Sequence, residues 1–417
     1  MGQPELRGTG VPDPYSLPLD TLDVSDAALF GTGAHVDYFR RLRAEAPLHY
    51  CPDSPHGPYW SVSTYDAIMA VDTNHHDFSS QDNIVIGDIR SEDEMVPMFI
   101  AADPPVHDVQ RKAAQPAVQR PQLRVLEPLI RERVGEILDT LPDGEFDLVP
   151  IVSRELTARM LATLFDIPQE DRYKLIHWSD ASVQSETTGM EVDMDARFQE
   201  LLGCLEYFAG YWQKRAAEPP KMDFISLLAH NPHTKNMLAE NPMELLGNLI
   251  LLIVGGNDTT RNSISGGVVQ FARNPDEWAK LVADPSLIPN AVSEIIRYQT
   301  PLGHMRRTAK RDVALMGRTI RAGEKVVMWY VSGNRDDSVF DAPDAFRIDR
   351  DNARRHMSFG FGIHRCMGNK VGEMQLRILW EEVLARGLRF ELAGEPVRTA
   401  NNFVMGWDSV PVRAHRR

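Results

Sequence analysis

Cysteine is scarce in this chain: Cys51, Cys204 and Cys366 are the only three among 417 residues. They are too few and too scattered for a disulfide framework, which fits a reducing compartment and predicts a cytoplasmic protein. Long apolar runs are missing too. The longest wholly apolar stretch, Leu249 to Val254, falls far short of the ~20 residues a helix needs to cross a bilayer. The opening residues, MGQPELRGTGVPDPYSLPLD, hold no apolar core of signal-peptide length, and Leu6 stands where a myristoylation motif has a hydroxyl residue. No membrane anchor is expected. Positive charge is in deficit: 45 Lys and Arg against 59 Asp and Glu leave a net charge of −14, which argues against nucleic-acid binding and for a soluble, self-repelling surface. Internal repeats, low-complexity tracts and linker-like stretches are also missing. Length alone would allow two or three domains at roughly 150 residues each, yet residues 1–417 read as one domain.

What is present is enough apolar material for a large core, 43% of residues. A Pro- and Gly-rich start, through about Gly33, reads as an extended arm lying on the body. From Tyr38 onward helical periodicity dominates, broken by short β-type pieces at Tyr59 to Val62 and Val326 to Tyr330. Residues 84–100 mix apolar and acidic residues without a clean period and read as a loop with a short helix. Alternation from Asn401 to Val412 around Gly406 predicts a β-hairpin. The expected fold is mainly α with small β-sheets.

Three helices can be placed. Asn241-Pro242-Met243-Glu244 has the signature of a helix start: a capping side chain, proline at the first position, and a glutamate able to reach back. The pattern continues to about Arg273, some 45 Å at ~1.5 Å per residue, enough to cross the protein. A second helix begins near Pro289 and stops before Pro301. A third follows Cys366, with Met367, Val371, Met374 and Ile378 on one face, and ends at Gly387.

An isolated cysteine is usually a small buried hydrophobe, the natural reading of Cys51 and Cys204. Cys366 has a different setting, in the sequence FGFGIHRCMG. At the start of the third helix, free N–H groups and a partial charge of ~0.5 would lower the thiol's pKa and hold it as thiolate. Gly360, Gly362 and Gly368 would let the backbone bend round the sulfur and something flat approach it. The sulfur is then a ligand or a nucleophile. Zinc fits poorly, because no second cysteine lies at short spacing. A dinucleotide loop fails because the third glycine of GxGxxG falls at Arg365. A catalytic cysteine with a histidine base stays open, as does haem iron, which one thiolate can hold.

These ten residues fit the F-x-x-G-x-x-x-C-x-G loop of the cytochrome P450 superfamily, including its common histidine two before the cysteine, and the chain resembles that superfamily in further motifs taken in order. His107-Asp108-Val109-Gln110-Arg111 resembles the family's H-x-x-x-R, which reaches a haem propionate. Glu294-Ile295-Ile296-Arg297 resembles its E-x-x-R pair. Alone such a pair means little, since i,i+3 charges are common on solvated helices; in the family it is a buried structural ion pair, with Arg350 in the segment that follows. Arg307, or Arg306 by a one-residue shift, matches the R-x-A arginine, and His356 another propionate donor. The resemblance implies the cytochrome P450 fold, with haem b between the long helix and the cysteine loop. Its iron would be held by Cys366, with His107, Arg111, Arg307, His356, Phe359 and Gly360 also contacting the group.

Inside the long helix, Gly255-Gly256-Asn257-Asp258-Thr259-Thr260 breaks local rules, since two mid-helix glycines cost about 1 kcal/mol each relative to alanine. Helix–helix contact and threonines bonding their own carbonyls would explain them in isolation. The stretch resembles the family's A/G-G-x-D/E-T-T motif. That resemblance implies that Gly255 and Gly256 leave room for dioxygen, that Thr259 hydrogen-bonds it, and that Asp258 relays protons.

The same resemblance places Leu251, Val254, Gly255, Leu302, Phe403, Val404 and Met405 around the substrate, under a roof formed by residues 84–100. These are apolar, so the reacting end of the substrate is expected to be hydrocarbon. GGNDTTRNS with TPLGHMRRTA resembles the bacterial alkane and fatty-acid terminal hydroxylase branch, implying terminal hydroxylation of medium-length, slender molecules; a compact terpenoid-like or cyclic substrate is the rival. No flavin or iron-sulfur domain is expected. Electrons would come from a ferredoxin and its NAD(P)H-dependent reductase, received on a basic patch of Arg111, Lys112, Arg365 and Lys370. A peroxide-driven peroxygenase would not need the acid–alcohol pair. A haem-thiolate sensor would oxidise no substrate.

Overall fold

Proline at its first position starts a helix that runs Pro242–Arg273, through the glycine pair and on to Arg273 as the periodicity predicts. The computed structural model describes residues 10–81, 83–88, 96–183 and 193–416. The start of this central helix differs from the expected capping box. Asn241 makes no side-chain cap, and Glu244 instead accepts a 2.7 Å hydrogen bond from Gln110 Nε2. Pro242 has no N–H to satisfy, which lightens the demand on a cap. Helices Glu155–Leu164, Arg172–Val183, Ile288–Gln299 and Asn369–Ala385 pack around the central one. It is buried on nearly every side, so tertiary packing rather than propensity keeps it helical across Gly255 and Gly256.

The helix Ile288–Gln299 stops where Thr300 turns left-handed, with φ 43, ahead of Pro301. Its Glu294 and Arg297, fully buried, meet through two hydrogen bonds of 2.7 Å. Arg350 Nε joins them at 3.2 Å, and Arg297 donates to the carbonyls of Asn334 and Pro343. This cluster clamps the helix to the chain that leads into the cysteine loop. Buried charges of this kind persist only when paired and hydrogen-bonded.

The helix Asn369–Ala385 begins three residues beyond Cys366, so Met367 precedes it, although it packs against the same core cluster as Val371, Met374 and Ile378. Gly387, at φ 59, ends it in the left-handed conformation that glycine takes without strain.

The main sheet has five strands in the order Leu48–Cys51, Tyr59–Val62, Lys325–Met328, Met305–Ala309, Phe78–Ser79. Two of the expected β pieces differ in extent. The strand at Lys325–Met328 releases the chain before Trp329, and Tyr330 opens a short helix, Tyr330–Gly333. No hairpin turns at Gly406. Instead Val397–Arg398 pairs with Trp407–Ser409, Gly406 accepts from the Thr399 N–H, and residues 399–406 form the connection. Pro411–Arg416 then joins Leu388–Leu392 and Glu145–Asp147 in a separate sheet.

Of the N-terminal arm, residues 1–9 lie outside the described residues; from residue 10 it lies on the body, but it is not extended as far as Gly33, since Ala27–Thr32 is already helical. Leu22 and Val24 are buried, Tyr38 Oη donates to the Pro12 carbonyl at 2.9 Å, and Asn402 Nδ2 donates to the Ser25 carbonyl at 2.6 Å. Of the expected roof, residues 89–95 lie outside the described residues. Phe99–Ala101 forms a 3-10 turn. Among the described residues no helix is long and apolar enough to cross a membrane.

Candidate functional site

Between the central helix and the loop Phe359 to Gly368 lies a cavity of ≈ 1000 Å³, at the upper end of the ~300–1,000 Å³ usual for ligand sites. Cys366, Phe359, Gly360, His107, Arg111 and Arg307 line it, as do Asp258, Thr259, Leu251, Val254, Gly255, Leu302, Phe403 and Val404. Two predicted residues are not in its wall. His356 is buried behind the loop, its ring edge-on to Phe359 at 5.1 Å. Met405 packs into the cluster beneath the N-terminal arm with Trp329.

The cysteine loop is shaped from the side facing away from the cavity. Asp72, fully buried, accepts hydrogen bonds from the Phe361 N–H and Tyr330 Oη, both at 2.8 Å, and from Arg307 at 3.0 Å. Gly362 sits at φ 64, and a Cβ there would lie 2.6 Å from the Asp72 carbonyl oxygen. It therefore makes room for the protein, not for something flat in the cavity. Gly368 is the opposite case: it lines the cavity and a Cβ would meet nothing within 4 Å. The Cys366 N–H donates to the Phe359 carbonyl at 2.7 Å, closing the loop on itself. Cys366 is exposed to the cavity while protein surrounds it, and this burial pushes its thiol pKa up, opposed by the Gly368 N–H, Arg111 and Arg365. The lowered pKa expected from a helix N-terminus is not found: burial outweighs the Gly368 N–H and the two arginines, and the helix itself starts only at Asn369.

One side of the wall gathers nitrogen. His107 Nδ1 donates to Asp108 Oδ1 at 2.9 Å, while its Nε2 is buried without a partner. Burial holds His107 below the usual histidine pKa. His364 packs against it with the rings tilted by 57° and their centroids 4.3 Å apart; its Nε2 meets Ser80 Oγ at 2.9 Å and its Nδ1 is buried without a partner among the described residues. Burial and the neighbouring Arg307 lower the His364 pKa to about 2, so it is neutral. Arg111 donates to the Arg365 carbonyl and Arg307 is held by Asp72. Of the two adjacent arginines, Arg307 lines the cavity, whereas Arg306 is not in its wall and pairs with Asp88 at 2.6 Å. Two buried, unpartnered imidazole nitrogens beside two guanidinium groups make a site for an anionic group, which is what the two carboxylates of haem b present. With an accessible sulfur in the same cavity, the donor set fits that cofactor. His364 was not assigned a role from sequence, although its place two before the cysteine was a usable signal.

On the central helix the two glycines divide their work. A Cβ on Gly256 would lie 2.7 Å from Leu161 Cδ2, so this glycine serves helix packing; one on Gly255 would meet nothing within 4 Å. Thr259 Oγ1 donates to the Gly255 carbonyl at 2.9 Å. Asp258, with no exposed surface, accepts from Ser179 Oγ at 2.7 Å, pairs with Arg261 at 2.7 Å and takes a 3.2 Å bond from Asn257. Burial raises its pKa, with Arg261 opposing. Ser179 lies 79 residues away in sequence and gave no local signal.

Leu302 and Val404 face each other across an isolated antiparallel bridge, fixed by the Gly303 N–H to the Phe403 carbonyl at 2.7 Å and the Met405 N–H to the Pro301 carbonyl at 3.0 Å. Their side chains and Phe403 line the cavity, as do Leu251 and Val254 from the central helix.

The family model described as Cytochrome P450 matches residues 158–406. Among solved structures, the chain is similar to CYP153D17 from Sphingomonas sp. PAMC 26605, at 45% identity and TM-score 0.90, covering 94% of this chain and 99% of that one. It is similar to Cytochrome P450-153 from Novosphingobium aromaticivorans at 43% identity and TM-score 0.88, with the same coverage. Among curated proteins, a Linalool 8-monooxygenase of Pseudomonas putida is 36% identical over 406 residues, 94% of this chain and 98% of the relative.

Proposed function

This chain belongs to the cytochrome P450 family and is a haem-dependent monooxygenase, and on that premise we propose that it hydroxylates the terminal carbon of slender, medium-length alkanes or fatty acids. The family's haem b, held through a cysteine thiolate, supplies the activation of O2 that lets one oxygen atom enter a C–H bond while the other leaves as water. In this reading Cys366 is the thiolate, His107, Arg111, Arg307 and His364 face the haem carboxylates, and His356 steadies the Phe359 ring. A carboxylate at His107 Nε2 would set an imidazolium between two anions and raise the histidine's pKa.

The remaining steps belong to the central helix. Gly255 leaves open space in the cavity wall. Thr259 presents a hydroxyl that can leave its own helix carbonyl to donate into that space and accept a proton in return. Asp258, whose pKa burial raises, refills it. An alcohol backed by an acid delivers protons without placing a full charge beside the reacting oxygen, and this pair favours O2 over peroxide as the oxidant.

The observation that carries the substrate reading is the chemistry of the wall near Gly255. Leu251, Val254, Leu302, Phe403 and Val404 are all apolar. Of the carboxylates in the wall, Asp258 is engaged with Ser179 and Arg261, Glu244 with Gln110, Asp103 with Ser79, Ser80 and Lys310, and Asp88 with Arg306 and Lys325, while Asp195 lies exposed in the first turn of the helix Met194–Ala217. The likeness of GGNDTTRNS and TPLGHMRRTA to the terminal hydroxylase branch narrows the hydrocarbon to a slender one. A compact terpenoid is the second reading, favoured by the relative named as a linalool monooxygenase.

Electrons come from separate redox proteins, and a ferredoxin with its NAD(P)H-dependent reductase is the proposed pair. Arg111 and Arg365 adjoin on the cysteine side, where Lys112 and Lys370 are exposed. The test is a reconstituted reaction with ferredoxin and reductase on n-octane, octanoic acid and a monoterpene alcohol, with products identified by mass spectrometry. Terminal alcohols from the straight chains support the proposal. Turnover of the terpenoid alone transfers it to the second reading.

A further inference from the structure

Two walls of the cavity touch at Gly247. A Cβ built on this residue of the central helix would lie 1.9 Å from the Pro97 carbonyl oxygen, 2.8 Å from its carbon and 3.2 Å from Val96 Cγ1. The neighbouring Asn248, fully buried, fastens the same contact. Its Oδ1 accepts the Phe99 N–H at 2.9 Å and its Nδ2 donates to Gln110 Oε1 at 2.7 Å, while Gln110 Nε2 in turn donates to Glu244. Pro97, Met98, Phe99 and Ile100 face the cavity from one side; Glu244, Ile250 and Leu251 face it from the helix. None of these contacts serves the proton-delivering pair or the cysteine loop.

We propose that Gly247 and Asn248 determine substrate shape: by letting the Val96 to Phe99 backbone lie directly on the central helix, they close the angle between the two walls and keep the cavity narrow. A methyl group at Gly247 cannot coexist with the Pro97 carbonyl where it stands. The carbonyl must retreat by about 1 Å to reach even a 3.0 Å contact. It moves away from the helix, and the walls part where they meet. Removing the Asn248 side chain loosens the same junction without a clash. Both are positioning residues; neither touches the reacting atoms. The inference rests on this cavity being the substrate site, not on which hydrocarbon is the substrate.

The test uses the haem-loaded full chain and two inert probes that coordinate haem iron, N-octylimidazole and N-adamantylimidazole, titrated by the shift of the Soret band. Because neither probe is oxidised, a wrong substrate class in the proposed function would leave the result intact. The expected result is that Gly247→Ala and Asn248→Ala each shift the ratio of dissociation constants by about fivefold or more toward the adamantyl probe, since small changes of pocket shape carry discrimination of this size. Haem content and melting temperature, measured on the same samples, separate this from general damage. If Gly247→Ala does not load haem, Asn248→Ala decides alone. An unchanged ratio, an equal loss for both probes, or a shift toward the octyl probe overturns the proposal.

Discussion

Arg261 meets Asp258 at 2.7 Å, three residues along the central helix, and Ser179 closes on the other carboxylate oxygen at the same distance. The acid proposed to relay protons is therefore not a free side chain but one whose ionisation is set by a balance. Burial raises its pKa and Arg261 pulls it back. A carboxyl with a raised folded-state pKa binds more protons folded than unfolded, so its contribution to stability falls as pH rises from the unfolded value of ~3.9 through the folded one. Arg261→Leu removes the opposing cation and raises the Asp258 pKa further. The stability deficit of Arg261→Leu should therefore grow with pH, and Arg261→Leu with Asp258→Asn should lose that growth. Thermal melts of the haem-loaded proteins from pH 5 to 8 test it; a deficit that is flat with pH, or shrinks, removes Arg261 from control of the acid.

Among the described residues the Thr259 hydroxyl bonds only the Gly255 carbonyl of its own helix, so Thr259→Ala should change stability by no more than about 0.5 kcal/mol and leave haem loading intact. Its effect belongs to proton delivery. Product formed per NAD(P)H consumed should fall roughly tenfold or more, with hydrogen peroxide accounting for the missing electrons. Simultaneous measurement of NAD(P)H, product and peroxide checks this, and unchanged coupling would remove the hydroxyl from the relay.

Arg297 combines a buried ion pair with bonds to the carbonyls of Asn334 and Pro343, so its fork holds two segments at once. Arg297→Ala leaves Glu294 and Arg350 buried with a broken network, a loss of about 3–5 kcal/mol. Arg297→Lys keeps the charge but not the planar set of donors, and should also lose most haem-loaded protein. Haem content per protein and the melting temperature are the readouts. A lysine variant with native melting would show that charge alone suffices.

These residues also show what a linear sequence discloses. The cysteine loop, the Glu294–Arg297 pair and the central helix could be read because the residues that define each lie within one local element. The helix start was misread because Glu244 has its partner at Gln110, 134 residues away, where the capping pattern supposes a local one. Gly255 and Gly256 look alike in sequence, yet Leu161 lies against only one of them. Ser179 and Asp72 went unnoticed for the same reason: each acts on the site from a distant element, and nothing in its own neighbourhood marks it. The alternation around Gly406 was real, but its partner strand lay before the connection instead of across a turn.

His107 offers the sharpest test of how the cavity holds its cofactor. Its Nε2 is buried, unpartnered and in the wall, with Asp108 on the other nitrogen and Arg111 one turn along the same helix. A haem carboxylate at Nε2 would complete a charge-assisted hydrogen bond worth about 1.5–3 kcal/mol. His107→Phe keeps the ring volume and its packing on His364 but donates nothing. It should speed haem loss to an excess of apomyoglobin by roughly 10–100-fold, the same energy expressed as a rate. His107→Gln, which retains a donor, should recover part of that retention, whereas a purely packing role would make the phenylalanine variant the better of the two. The order of the two dissociation rates therefore decides whether this nitrogen faces the cofactor.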